Sequence, residues 1–235
     1  MKRALPVSGG IDSSMHYDRY RGDIAAFRRM LAAYGYGAAD VRIHVAGGGR
    51  FDFDGDGSAE RYRAASQRRV LAGLRWLAQP NEDDLSLLVV SNHGDPAGFC
   101  LWGNGSFISP AQIEALLRAS PARKVLVFGQ CFAGVFGKMT VSRSVICCAC
   151  GDTESSFECA SFGGRPVEYD EFLYHFVAAL RGQYPDGAQF GTTLPTQATV
   201  NILEAFEFAA RNDRQPETPV MFDRDRLAGA LRLSG

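Results

Sequence analysis

Two short, almost unbroken apolar runs, Leu85-Ser-Leu-Leu-Val-Val90 and Lys124-Val-Leu-Val-Phe128, constrain this chain more than any other feature. A strand with one wet face alternates apolar and polar residues. A run this uniform belongs to a strand covered on both faces, as in a parallel sheet between helical layers. The intervening segments have helical period. Val70, Leu71, Leu74 and Leu77 form a stripe within residues 64–78, and Ser109-Pro110 offers an N-cap and a first-turn proline for a helix through Arg118. Upstream, Ile24, Phe27, Met30, Leu31 and Tyr34 predict a helix over 23–34 with Gly22-Asp23 at its start and Gly35 as its stop. Val41 to Val45 and Val145 to Ala149 read as further strands, and helices are expected over 168–180 and 200–210. Strands alternating with helices imply an α/β fold with a mostly parallel central sheet and right-handed crossovers. No linker, repeat or low-complexity segment interrupts the 235 residues, so a single domain over 1–235 is expected.

Charge narrows the partners. The 25 Lys and Arg residues nearly balance 26 Asp and Glu, and no basic run marks a nucleic-acid footprint, although Arg far outnumbers Lys. No nucleic acid is expected as a partner. Nor is a membrane, because no long apolar stretch is present, and MKRALPVSGG lacks the apolar segment of a signal peptide. A cytoplasmic location is the expectation, and there the six cysteines are read as reduced thiols.

In open parallel sheets reactive groups gather where loops leave the carboxyl ends of the strands. Each buried run ends in such a position: the first delivers Ser91-Asn92-His93-Gly94, the second Gly129-Gln130-Cys131. A strand, a helix and a strand separate His93 from Cys131, so adjacent strands would set them on one rim. A thiol becomes a strong nucleophile when a neighbouring imidazole takes its proton. Gly94 permits a turn that lets its N–H, with that of Cys131, face a developing oxyanion. This is acyl-transfer chemistry. The competing reading makes His93 a loop cap and Cys131 a core filler.

The two motifs, Ser91-Asn92-His93-Gly94 and Gln130-Cys131-Phe132-Ala133-Gly134, resemble the His-Gly and Cys motifs of caspase-fold cysteine peptidases, the legumain-like family above all. Ser8-Gly9-Gly10, Tyr17, Arg19, Tyr20, Asp23, the turn Asp54-Gly55-Asp56-Gly57, Leu101-Trp102-Gly103, Glu154-Ser155-Ser156, Tyr169-Asp170-Glu171-Phe172, Glu204-Ala205-Phe206 and Pro219 look like bacterial members, so the likeness spans almost the whole chain. The resemblance implies a caspase-like three-layer α/β/α fold and a cysteine endopeptidase, a thiol protease, with His93, Cys131 and Gly94 catalytic. It also implies a pocket for the residue before the scissile bond, formed by Arg19, Ser155, Ser156 and Asp170. A guanidinium beside a carboxylate reads a side-chain amide, which favours Asn, with Asp as the second choice. Away from the resemblance, Arg19 and Asp170 read equally well as a surface ion pair. The chain departs from the family at Gly129, where legumain-like enzymes carry Glu, and at Ala133, where Ser is frequent. The implied partner is a protein or peptide substrate, with an activator or partner protein in a regulated stress or defence pathway.

Other motifs compete. Ser8-Gly9-Gly10-Ile11-Asp12-Ser13 fits the phosphate loop of ATP pyrophosphatases, an alternative function, but the periodic helix starts well after the glycines, where such a loop would begin it. A binding module that keeps the fold without activity is the other alternative. Asp52, Asp54 and Asp56 resemble the start of a calcium loop, yet its twelfth position is Arg63, with Glu60 at the ninth. Bound Ca²⁺ and a solvated turn both stand as readings, and no cofactor is required by the expected chemistry. Cys147 and Cys150 fall on an alternating strand, facing opposite ways, which argues against zinc. His16, His44 and His175 have no partners at ligand spacing, and Trp76 and Trp102 read as core or rim packing.

Overall fold

Both apolar runs form neighbouring central strands in the computed structural model, which describes residues 1–103, 105–159, 168–187 and 199–234. The elements in chain order begin with β1 (Lys2–Ser8), α1 (Asp18–Ala33), β2 (His44–Val45), β3 (Gly49–Phe51), β4 (Glu60–Tyr62) and α2 (Gln67–Leu77). Then come β5 (Leu85–Ser91), β6 (Gly94–Asp95), β7 (Gly98–Cys100), β8 (Phe107–Ile108), α3 (Pro110–Leu117) and β9 (Arg123–Phe128). The last are β10 (Ser144–Cys148), α4 (Glu171–Arg181), α5 (Ile202–Asn212) and β11 (Val220–Phe222).

The main sheet has six strands in the order β11-β10-β9-β5-β1-β2, parallel throughout except for β11 at one edge. Its central strands bury side chains on both faces, and alternation sorts them. Leu87, Val89, Val125, Val127, Val145 and Cys147 meet the helices α1, α4 and α5, whereas Leu88, Val90, Leu126, Phe128, Ile146 and Cys148 meet α2 and α3. Helices therefore cover both faces, an arrangement compatible with three α/β/α layers. A slip of one residue would send every one of these side chains to the wrong layer, so each strand's register is strongly specified. Cys147 and Cys150 lie in the two opposite cores, as the alternation implies.

The helix expected over 23–34 differs in the structure: α1 begins at Asp18, because Tyr20 is fully buried and extends the apolar face by a turn. Asp23 does not cap anything. It is buried and turned toward Ser91 and Asp170. Among the described residues no helix is long and apolar enough to cross a membrane.

Candidate active site

Three strand ends share one rim. Ser8 stands opposite Ser91, and Val90 opposite Phe128, so the loops leaving β1, β5 and β9 emerge together. His93 lies three residues beyond Val90 and Cys131 three beyond Phe128, which gives them matching places on adjacent strands. The contact is close at Gly94, where an added Cβ would overlap the Cys131 carbonyl oxygen and come within 2.6 Å of Gln130 Cγ. Gly94 is not among the residues of positive φ, so its small size serves close approach rather than a turn.

His93 is held from several sides. Its Nε2 lies 3.0 Å from the Met15 carbonyl, and its ring sits edge-on to Tyr17 and Tyr20 at 5.1 and 5.4 Å between centroids. A carbonyl only accepts, so in the neutral ring Nε2 carries the hydrogen and Nδ1 keeps a lone pair. Burial lowers the His93 pKa, with Arg19 adding to the effect and the Met15 carbonyl opposing it. The neutral base is thus the resting form at neutral pH. The backbone is fixed by Asn92, whose buried side-chain oxygen accepts the N–H of both His93 and Gly10 at 2.8 Å while its amide donates to the Cys100 carbonyl. Asn92 and Met15 carry roles that sequence reading missed. An Asn directly before a rim His was the visible clue for the first; nothing marked the second, since a carbonyl has no residue signature.

Cys131 is the only cysteine that is not buried. Burial pushes the other thiols up, Cys100 to about 11 and Cys150 to about 12, with Cys147, Cys148 and Cys159 higher, so they stay protonated and unreactive. The residue after Cys131, Phe132, takes a left-handed conformation with φ of 56°, a sharp turn held by its N–H on the Glu154 carbonyl at 2.7 Å. The backbone N–H of Ser156 lies 3.4 Å from Cys131 Sγ, and the Ser156 hydroxyl donates to the Gly129 carbonyl at 2.8 Å. In the β6–β7 hairpin the Cys100 N–H bonds the His93 carbonyl, which makes Gly94 and Phe99 the non-hydrogen-bonded pair and turns the Gly94 N–H away from its partner strand.

Arg19 stands beside this group, stacked at 4.7 Å over Tyr17 and 5.1 Å over Tyr20, the rings that also hold His93. Its guanidinium bridges Asp170, 3.3 Å away, and the exposed Glu158, 2.7 Å away. Asp170 is buried, so this is no surface ion pair. Ser155 is exposed, whereas Ser156 faces the thiol. At Gly129, a Cβ would lie 2.7 Å from Leu173 Cγ; the leucine fills the space that a glutamate at this position would need. The strip 154–158 is tied down from beyond: Glu217 accepts the Phe157 N–H at 2.8 Å, and Glu154 accepts the N–H groups of Gly151 and Thr218 at 2.9 and 3.0 Å.

Of the remaining candidates, the Ser8–Ser13 loop adjoins this group through the Gly10 N–H on Asn92. Asp12 accepts the N–H groups of Ser14 and Met15, so its own carboxylate occupies the donors that a phosphate at Ser8–Ser13 would use. Oxygens of Asp52, Asp54 and Asp56 lie within 4.8 Å of one another in the turn between β3 and β4. Asp52 also accepts from Gly55 and Gly57, and Asp54 pairs with Arg28 at 2.6 Å. Glu60 pairs with Arg28 as well and accepts the Phe53 N–H. Compared with known proteins, the chain matches no family model and no curated protein.

Proposed function

We propose that the chain is a caspase-fold cysteine endopeptidase of legumain-like type that cleaves after Asn or Asp. The observation that carries this reading is the contact between Gly94 and the Cys131 backbone at the ends of two paired parallel strands. It joins the only accessible thiol to the loop that bears a neutral imidazole. His93 Nδ1 takes the thiol proton as Cys131 Sγ attacks the peptide carbonyl, and the N–H groups of Gly94 and Cys131 receive the oxyanion. The imidazolium then protonates the leaving amine, the carbon–nitrogen bond breaks, and an acyl-enzyme remains. Water, deprotonated by the same His93, attacks the thioester and releases the acid. Arg19 supports selection of an amide or carboxylate side chain, since exposed Glu158 already presents a carboxylate to it and gives up that ion pair at little cost.

A fluorogenic peptide library varied at the residue before the scissile bond tests the reading. Cleavage is expected to be greatest with Asn or Asp, to vanish in Cys131→Ala, and to fall about a thousandfold in His93→Ala. Alkylation by iodoacetamide should be confined to Cys131 and slowed in His93→Ala. Unchanged cleavage in Cys131→Ala would end the proposal, as would a Cys131 inert to alkylation at neutral pH.

A further inference from the structure

Arg50, Arg61, Arg63, Arg68 and Arg69 are scattered in the sequence among Asp54, Asp56 and Glu60, which is why no basic run is visible there. Folding separates the signs. Arg28 on α1 draws off Asp54 and Glu60, both at 2.6 Å. The arginines, from β3, from β4 and its continuation and from the start of α2, are left together around two adjoining concavities. One, of about 470 Å³, is bordered by the Gly47–Gly49 loop with Arg50, Arg61 and Arg69; the other, of about 580 Å³, is lined by Arg61, Arg63, Arg68 and Arg69 alone. Among the described residues no carboxylate borders either one. Among the described residues Arg61, Arg63, Arg68 and Arg69 make no ion pair and are exposed.

The placement of Arg68 and Arg69 is unfavourable for the protein alone. They occupy the first turn of α2, the positive end of its dipole, and Ser66 contributes no side-chain cap there. The field reaches inward as well. His44, buried nearby, is lowered to about 4, by burial first and then by Arg63, with Arg42 and Arg69 contributing. Burial lowers the Arg42 pKa too, again with Arg63 adding to it. Like charges gathered with no internal counter-charge are relieved by an anion from outside. Guanidinium forks match phosphate oxygens two at a time, and the volumes are those of small-molecule sites.

We propose that this groove binds a small ligand carrying two or more phosphate groups. Neither His93 nor Cys131 lines it, and its test reads binding rather than peptide cleavage. The full chain is titrated by calorimetry with inorganic tripolyphosphate and, separately, with ATP, at low and near-physiological salt. Both probes are expected to bind, more weakly as salt rises, and affinity should fall about tenfold or more in R61E/R69E and independently in R63E/R68E. R75E makes the same kind of charge change at the far end of α2 and should leave binding unchanged. Equal affinity for the probes identifies the phosphate chain as the recognised group, and tighter ATP binding identifies a nucleotide. The proposal is overturned if neither probe binds, if both double variants bind as the unchanged chain does, or if only a single-stranded oligonucleotide binds.

Discussion

Gly94 shows what one residue contributes when two strand ends meet. The rim is so close there that any side chain would overlap the Cys131 carbonyl, and Gln130 Cγ and the Cys131 carbonyl carbon would lie 2.6 and 3.0 Å from the added atom. Two backbones would have to separate to admit a methyl group. Gly94→Ala is therefore expected to destabilise the protein by about 1–3 kcal/mol and, on the proposed function, to abolish peptide cleavage, because the shift moves the N–H groups proposed to receive the oxyanion. Thermal melts and turnover measure both. Gly37→Ala, where the new Cβ would meet only Asp40 Oδ2 at 3.5 Å, should change stability by less than about 0.5 kcal/mol. At this scale the sequence was legible in the placement of His93 and Cys131, which follow the ends of adjacent paired strands as their motifs implied. It was not legible where a main-chain atom acts, as with the Met15 carbonyl, or where a small side chain is needed for contact rather than conformation.

Elements were readable in proportion to how locally they are determined. Ser109-Pro110 was visible as a helix start, and α3 begins there with a full capping box, Ser109 receiving the Gln112 N–H and Gln112 Oε1 accepting the Ser109 N–H. The strands β5 and β9 were visible because their uniform apolar runs reflect burial on both faces. The start of α1 was not. Asp18 to Gly22 is polar in sequence, and its only fully buried side chain, Tyr20, is covered by residues distant along the chain. The box at α5 is the same device as that at α3: Asn201 Oδ1 accepts the Glu204 N–H at 2.9 Å, and Glu204 returns the bond to the Asn201 N–H at 2.9 Å. Asn201→Ala removes the acceptor of the Glu204 N–H and should lower stability in urea by about 1 kcal/mol. Since α5 packs behind the sheet, against α4 and the core rather than the rim, cleavage by the folded variant should be unaffected.

The whole molecule is joined at a point where three distant segments share a proton. Asp23 from α1, Ser91 at the end of β5 and Asp170 just before α4 are all buried. The Ser91 hydroxyl lies 2.6 Å from Asp23 Oδ2 and 3.1 Å from Asp170 Oδ2. It has one hydrogen to donate, so both contacts are satisfied only when one carboxyl is protonated. Burial raises both pKa values: that of Asp170 reaches about 6, held down by Arg19, while Asp23, lacking such a cation and facing Asp170, is raised well above the usual carboxylate range. The consistent arrangement has Asp23 donating to Ser91, Ser91 donating to Asp170, and Asp170 ionised beside Arg19. Glu217 is likewise pushed up to about 10 by burial and by Asp213. In each case the folded state binds more protons than the unfolded chain, so this stability is complete at low pH and is lost as pH rises through the folded values. Over about pH 7 to 8.5 the buried His44, lowered to about 4, is neutral in the fold and mostly neutral in the unfolded chain, while the buried thiols, raised by burial, steepen the same fall toward pH 8.5 in every variant, so the comparison between variants carries the test. Stability should therefore fall across that window by at most about 1.4 kcal/mol per pH unit for each proton released, and the thermal midpoint should fall with it. Asp23→Asn should make the fall shallower, because its amide donates to Ser91 as the protonated carboxyl does while its oxygen still accepts the Asp170 N–H, and adding Glu217→Gln should flatten it further. A midpoint that stays level or rises with pH in the unchanged chain, or a slope that neither substitution reduces, would mean that α1, β5 and α4 are not held together by a shared proton.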